Sequence, residues 1–232
     1  MTCRVKDRRF IHVKRLGNIE MSFKSNRPVL LGSRRQFLLL IFLLAIGGSA
    51  QAQNGEEYRV YEAVLGHMFK GGVTRFDMNA KVDKIVIRDR THSEYAAHET
   101  KENWEQVKLR MKLVTDEVIA SYESVRKQER AITRNFDIPF DYLLISDKQL
   151  EEIFFDRSYD RSRDYWTEFY KIYPKSAGYN SFSRVAFDKP RRTALVYFVN
   201  WCGPLCGTGT YLVVEKEDES WSVKESAQMW IS

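Results

Sequence analysis

The last part of this 232-residue chain, about 50 residues long, alternates between short apolar runs and turn residues, a pattern typical of antiparallel strands joined by tight turns. We predict strands near residues 182–188, 193–201, 208–215 and 221–230. The last of these strands alternates apolar and polar residues, which indicates a sheet with one solvated face. Residues 194–199 are apolar on both faces, so we expect this strand to be central in the sheet.

Helical periodicity dominates the chain before these strands. Apolar residues recur every three or four positions from Trp104 to Val125, which predicts one long amphipathic helix. Shorter helices are predicted over residues 58–68, 146–155 and 166–173, and short strands over 82–87 and 142–145. The fold class that follows is α+β, with amphipathic helices packed on an antiparallel C-terminal β-meander. We expect the two short strands to extend the sheet, in an order that the long connections leave open.

Residues 34–52 have the pattern of a secretory signal peptide: two arginines, an apolar block at 37–46, and small residues ending at Ala52. The block is shorter than the ~20 apolar residues that a membrane-spanning helix needs, so we predict no permanent membrane anchor. The general secretory route and the twin-arginine route both remain open. We expect residues 1–20 to be an over-extended N-terminus, residues 1–52 to be removed, and residues 53–232 to form one mature domain in the periplasm or outside the cell.

Removal of residues 1–52 changes the charge balance of the protein. The full chain has 37 Lys and Arg, 31 Asp and Glu and a formal net charge of +6. Subtracting the ten basic and two acidic residues of 1–52 leaves 27 and 29, a net charge of −2 for the mature part. A nucleic-acid binder normally carries a basic stripe that displaces counterions. None remains here, so we predict no nucleic-acid partner.

Cys202 and Cys206 lie between two predicted strands and are the only cysteines after residue 52. An even count in an oxidising compartment favours a disulfide that closes the hairpin. Free thiols, a redox pair or metal ligands are the alternatives. A redox pair usually has two intervening residues at a helix N-terminus, and a zinc site needs two further ligands. We therefore predict a structural disulfide, with no metal and no cofactor.

Two other groups of residues are candidate sites. His92, Glu94, His98 and Glu99 share a polar loop at a spacing that matches no metal-binding repeat, so we interpret the loop as solvated surface. An aromatic stripe runs from Tyr165 to Tyr173 at helical spacing. This spacing favours core packing over the alternative, a platform on which a sugar or peptide stacks.

Tyr179 and Trp201 lie near predicted turns and are the candidate ligand-contacting aromatics. No G-x-S-x-G motif is present, and the catalytic residues of any enzymatic site stay unassigned. A site assembled from distant residues remains open, because such sites are spatial rather than sequential.

Several blocks of the chain resemble, in their order, a family of exported bacterial proteins of unknown function. The blocks are IVIRDRT at 85–91, WTEFYKIYP at 166–174, SRVAFD at 183–188, ALVY at 194–197, CGPLCGTG at 202–209, and the tryptophans at 221 and 230. The family has no assigned activity, so the resemblance implies a single domain and supplies no catalytic residues.

The absence of a recognisable catalytic motif favours an exported, non-enzymatic domain that binds an envelope protein or a ligand. The alternative is a cell-envelope hydrolase whose site is assembled from distant residues. That enzyme requires a pocket with two carboxylates, or a Ser or Cys within reach of a His. A thiol-redox protein is a third hypothesis, which depends on Cys202 and Cys206.

Overall fold

The computed structural model describes residues 55–70, 83–92, 101–155 and 164–232, with side chains omitted at 101–103. The predicted export segment and residues Glu94, His98 and Glu99 of the polar loop lie outside these residues. The helices are α1 at 55–68, α2 Lys101–Arg110, α3 Asp116–Val125, α4 Asp147–Phe154 and α5 Tyr165–Ile172. The strands are β1 Lys84–Arg88, β2 Asp141–Ile145, β3 Ser176–Phe182, β4 Ala186–Phe187, β5 Thr193–Gly203, β6 Cys206–Glu217 and β7 Ser220–Ile231.

The strands form one mostly antiparallel sheet in the order β2-β1-β3-β5-β6-β7, with β4 also paired to β5. Strand β1 is parallel to both β2 and β3, and the remaining pairs are antiparallel. The α+β class and the C-terminal meander are confirmed, and the two short strands do extend the sheet. In the part of the chain described, no helix is long and apolar enough to cross a bilayer.

The predicted strand at 182–188 is wrong in its bounds. Strand β3 ends at Phe182, and only two residues near the end of that range form β4. The side chain of Ser183 explains the interruption, because its hydroxyl accepts a hydrogen bond of 2.9 Å from the backbone N–H of Tyr197. A side chain that takes the place of a backbone acceptor interrupts the regular ladder between strands.

The predicted long helix is also wrong, since α2 and α3 are separate helices joined by residues 111–115. Thr115 caps α3, with its side chain accepting a hydrogen bond from the backbone N–H of Val118. In the connection, the N–H of Leu113 donates to the carboxylate of Glu225 on β7, 2.8 Å away. The apolar stripe continues across the break, because both helices pack on the same part of the sheet.

The two faces of the sheet are covered differently. Helix α1 packs on one face, where the Tyr61 ring contacts Phe182 and the Phe69 ring, just after the helix, contacts Phe198. The opposite face carries two helix pairs: α2 and α3 over β5, β6 and β7, and α4 and α5 over β1, β2 and β3. These pairs form separate apolar clusters, so a gap between them leaves part of this face uncovered.

Candidate functional site

A cleft of about 730 Å³ occupies that gap. Its floor is the sheet, and its walls come from α4, α5 and the segment that follows α3. The lining residues are Arg88, Glu129, Asp147, Leu150, Glu151, Phe154, Phe155, Trp166, Tyr179, Ser181 and Trp201. Tyr179 and Trp201, the two candidate ligand-contacting aromatics, therefore lie in one cavity.

Strand pairing places these two aromatics side by side. Tyr179 on β3 is the register partner of Trp201 on β5, and directly opposed residues on neighbouring strands have Cβ atoms about 5 Å apart on one face. Trp166 on α5 lies nearly parallel to the Tyr179 ring, at 15° with centroids 6.1 Å apart. Phe154 on α4 meets Trp166 edge-on at 4.9 Å. The helices and the sheet thus build a continuous aromatic wall.

Glycines make room for this arrangement. Gly178 has φ +77°, a left-handed conformation that favours glycine, and lies within an irregularity of the β1–β3 pairing. A Cβ at Gly178 would lie 1.8 Å from the carbonyl oxygen of Trp201. On β6, the strand on the other side of β5, a Cβ at Gly207 would lie 2.8 Å from the Trp201 ring. Gly178 therefore allows β3 to approach the backbone of β5, and Gly207 leaves space for the indole ring of Trp201.

The hairpin that follows Trp201 is closed by a disulfide between Cys202 and Cys206, which confirms the predicted pairing. The hydroxyl of Tyr170 on α5 donates a hydrogen bond of 2.8 Å to the carbonyl oxygen of Cys202. This contact ties the end of β5 to the helix that carries Trp166. The aromatic stripe of α5 divides accordingly: Phe169 is fully buried, as expected of a core residue, whereas Trp166 lines the cleft.

Charged groups line the other side of the cleft. The Arg88 guanidinium at the end of β1 forms an ion pair with Asp147 on α4, and Arg90 reaches the second oxygen of Asp147 at 3.2 Å. Arg90 also lies 3.7 Å from Glu129. Glu151, one helical turn after Asp147, is exposed and forms no ion pair with any described residue. Its neighbour Lys148 is within 3.7 Å of Glu152 instead.

His92 corrects the interpretation of the polar loop as solvated surface. His92 is only 3 % exposed. Its ring lies edge-on to the ring of Tyr197, with the two centroids 6.1 Å apart. Burial, with a smaller contribution from the Arg88 guanidinium, lowers the pKa of His92 to about 3. The imidazole is therefore neutral at neutral pH and is a weak base.

This burial predicts an acid-dependent loss of stability. The pKa of a histidine in the unfolded chain is about 6.5. Below that pH the unfolded state binds a proton at His92, whereas the folded state does so only near pH 3, so acid favours unfolding. We expect His92 to reduce the free energy of unfolding by about 2 kcal/mol between about pH 7 and pH 5. Urea denaturation at both pH values measures this loss, which His92→Gln should remove. His67→Gln, at an exposed position on α1, is the control, and equal pH dependence in all three proteins would contradict the assignment.

The described residues do not assemble the catalytic groups of a serine or cysteine hydrolase in the cleft. The two described histidines are His67, exposed on α1, and His92, and neither lines the cavity. No cluster of three His, Cys, Asp or Glu among the described residues is arranged to hold a metal ion. Among the described lining residues, the groups that could act as an acid or a base are the carboxylates of Glu129, Asp147 and Glu151 and the phenol of Tyr179.

Sequence reasoning missed the charged half of this site. Arg88 and Asp147 are 59 residues apart, and nothing in either local pattern predicts their contact. One signal was available on α4: Ser146 and Gln149 form a capping box, which fixes the start of the helix. With that start, Asp147 and Glu151 fall four residues apart on one helical face.

Comparisons of the chain with protein-family models, with curated proteins and with solved structures return no match. The chemistry of the cleft is therefore inferred from its own geometry and charge.

Proposed function

We propose that this chain is an exported, non-enzymatic binding domain of the cell envelope, and that the cleft between its two helix pairs holds the ligand. One observation carries the proposal: a cavity of about 730 Å³ in which Tyr179, Trp201 and Trp166 lie together. Small-molecule sites typically measure about 300–1,000 Å³ and combine apolar walls with a few oriented polar groups. The cleft has both features.

Export is supported by two independent features of the chain. The segment at 34–52 has the signal-peptide pattern, and Cys202 is bonded to Cys206. Disulfides persist in the periplasm and outside the cell and are rare in the cytosol.

Binding is favoured over hydrolysis by the state of the polar groups. The oxygens of Asp147 are engaged by Arg88 and Arg90, so they are not disposed to attack or to protonate a substrate. Glu129 and Glu151 would have to act as the carboxylate pair of the alternative, a cell-envelope hydrolase. That alternative predicts turnover, which separates it from the proposal.

Saturation-transfer NMR with a mixed panel of amines, sugars, amino acids and carboxylates tests the proposal. Phe155 lines the cleft and is 74 % exposed, so Phe155→Ser alters the site without opening the core. Ile172→Ser is the matched control, since Ile172 is 57 % exposed and lies outside the cleft lining. We expect at least one panel compound to bind wild type and the control equally, and Phe155→Ser at least about fivefold more weakly. Equal affinity of the compound for wild type and Phe155→Ser would contradict the proposal, as would hydrolysis of a bound compound.

A further inference from the structure

We propose that the ligand of the cleft is an organic cation, with an ammonium or guanidinium group attached to an apolar part. The inference rests on the proposed binding function and specifies its ligand class.

The first argument is the charge of the lining. Among the described residues that line the cleft, three are carboxylates and one is a guanidinium. Arg90 adds a second guanidinium, 3.2 Å from Asp147 and 3.7 Å from Glu129, so the carboxylate of Glu151 is the one left without an ion pair among the described residues. Arg88 is paired with Asp147 and its side chain is only 11 % exposed, so it offers little positive charge to a ligand. Glu151 is exposed on the same wall and forms no ion pair with a described residue, since the nearby Lys148 is within 3.7 Å of Glu152 instead. A cationic group that enters the cleft would therefore meet the negative charge of Glu151.

The second argument is the aromatic composition of the walls. Trp166, Tyr179 and Trp201 line the cavity, and each is partly exposed. The faces of aromatic rings carry negative potential and attract ammonium and guanidinium groups, most strongly at tryptophan. A cavity that combines several ring faces with unpaired carboxylate charge suits an organic cation better than a hydrated metal ion, which would need convergent oxygen ligands.

The third argument separates a cation from a neutral sugar. Amide side chains are versatile partners for hydroxyl groups, since each has two donors and an acceptor. No Asn or Gln is among the described lining residues. The amides next to Tyr179 and Trp201 in sequence are engaged elsewhere: Asn180 donates to the carbonyl of Val86, and Asn200 donates to Asn180 and to the carbonyl of Ala177. Neither lines the cleft. Anions are disfavoured by the same Glu151 carboxylate that attracts a cation.

Isothermal titration calorimetry with three probes of different charge tests the inference. The probes are phenyltrimethylammonium, benzenesulfonate and methyl β-glucoside, used at millimolar concentration with wild-type protein. We expect phenyltrimethylammonium to bind at least about tenfold more tightly than either other probe, and its affinity to fall as salt screens Glu151. No binding of phenyltrimethylammonium, or equal binding of the cation and the anion, overturns the inference.

A pair of variants on one helix provides the matched control. Glu151→Gln should weaken phenyltrimethylammonium about threefold to fivefold, because it removes one exposed charge from the wall. Glu152→Gln lies one residue further on α4, outside the lining, and should leave the affinity unchanged. Equal effects of the two variants overturn the inference. Tighter binding of the glucoside, lost in Phe155→Ser, would overturn the cation inference while leaving the binding proposal intact.

Discussion

Gly178→Ala should reduce the free energy of unfolding by at least about 3 kcal/mol, since it combines backbone strain with steric overlap. The residue has φ +77°, and its Cβ would lie 1.8 Å from the carbonyl oxygen of Trp201 and 2.7 Å from the Cα of Cys202. Both contacts are with backbone atoms, which no side-chain rotation relieves. Urea denaturation followed by circular dichroism measures the loss, and failure of the variant to fold is the extreme form of the same result.

Gly66→Ala is the matched control. Gly66 lies within α1, and no heavy atom is found within 4 Å of its added Cβ. Alanine is the better helix former by about 1 kcal/mol, so this variant should be as stable as wild type or slightly more stable. A loss below about 1 kcal/mol for Gly178→Ala would contradict the close approach of β3 to β5.

Glu57→Gln should cost about 3 kcal/mol of stability, as expected when one partner of a buried ion pair is removed. The Glu57 side chain on α1 is 8 % exposed and accepts from Arg184 Nη2 at 2.8 Å and from Arg130 Nη1 at 2.9 Å. The amide preserves the shape of the side chain but leaves two guanidiniums without their counter-charge. Because these contacts attach α1 to two separate segments, the midpoint of urea unfolding should fall clearly.

Glu219→Gln is the control for this prediction. Glu219 is paired with Arg59 at 3.8 Å, but its side chain is 87 % exposed. Exposed pairs contribute little because water and salt screen them, so we expect a change below about 0.5 kcal/mol. Equal changes in the free energy of unfolding for Glu57→Gln and Glu219→Gln would contradict the burial of the Glu57 ion pairs.

Local patterns predicted the parts of the fold that local forces determine. The alternation of residues 221–230 fits β7, and Ser146 caps α4 as expected. The disulfide followed from cysteine count and spacing. In each case the residues that decide the structure are neighbours in sequence.

The failures share a different cause, which is contact between distant residues. The break between α2 and α3 includes the hydrogen bond from Leu113 to Glu225, and periodicity alone does not reveal a partner 112 residues away. His92 is buried although its sequence neighbours are polar, because its backbone N–H bonds to the carbonyl of Phe182 on β3. The cleft was unpredictable for the same reason, since it exists only once β1 lies between β2 and β3.

The five tryptophans of the chain offer a direct test of the cleft as the ligand site. In protein labelled with 5-fluorotryptophan, ¹⁹F NMR reports each indole ring separately during titration with the panel compound that binds most tightly. Trp166 and Trp201 line the cleft, whereas Trp104 on α2 is buried in the cluster over β5, β6 and β7, and Trp221 lies in the cluster on the opposite face of the sheet. We predict that the signals of Trp166 and Trp201 shift with the ligand while those of Trp104 and Trp221 stay in place. Shifts at Trp104 or Trp221, with Trp166 and Trp201 unchanged, would contradict the assignment of the site.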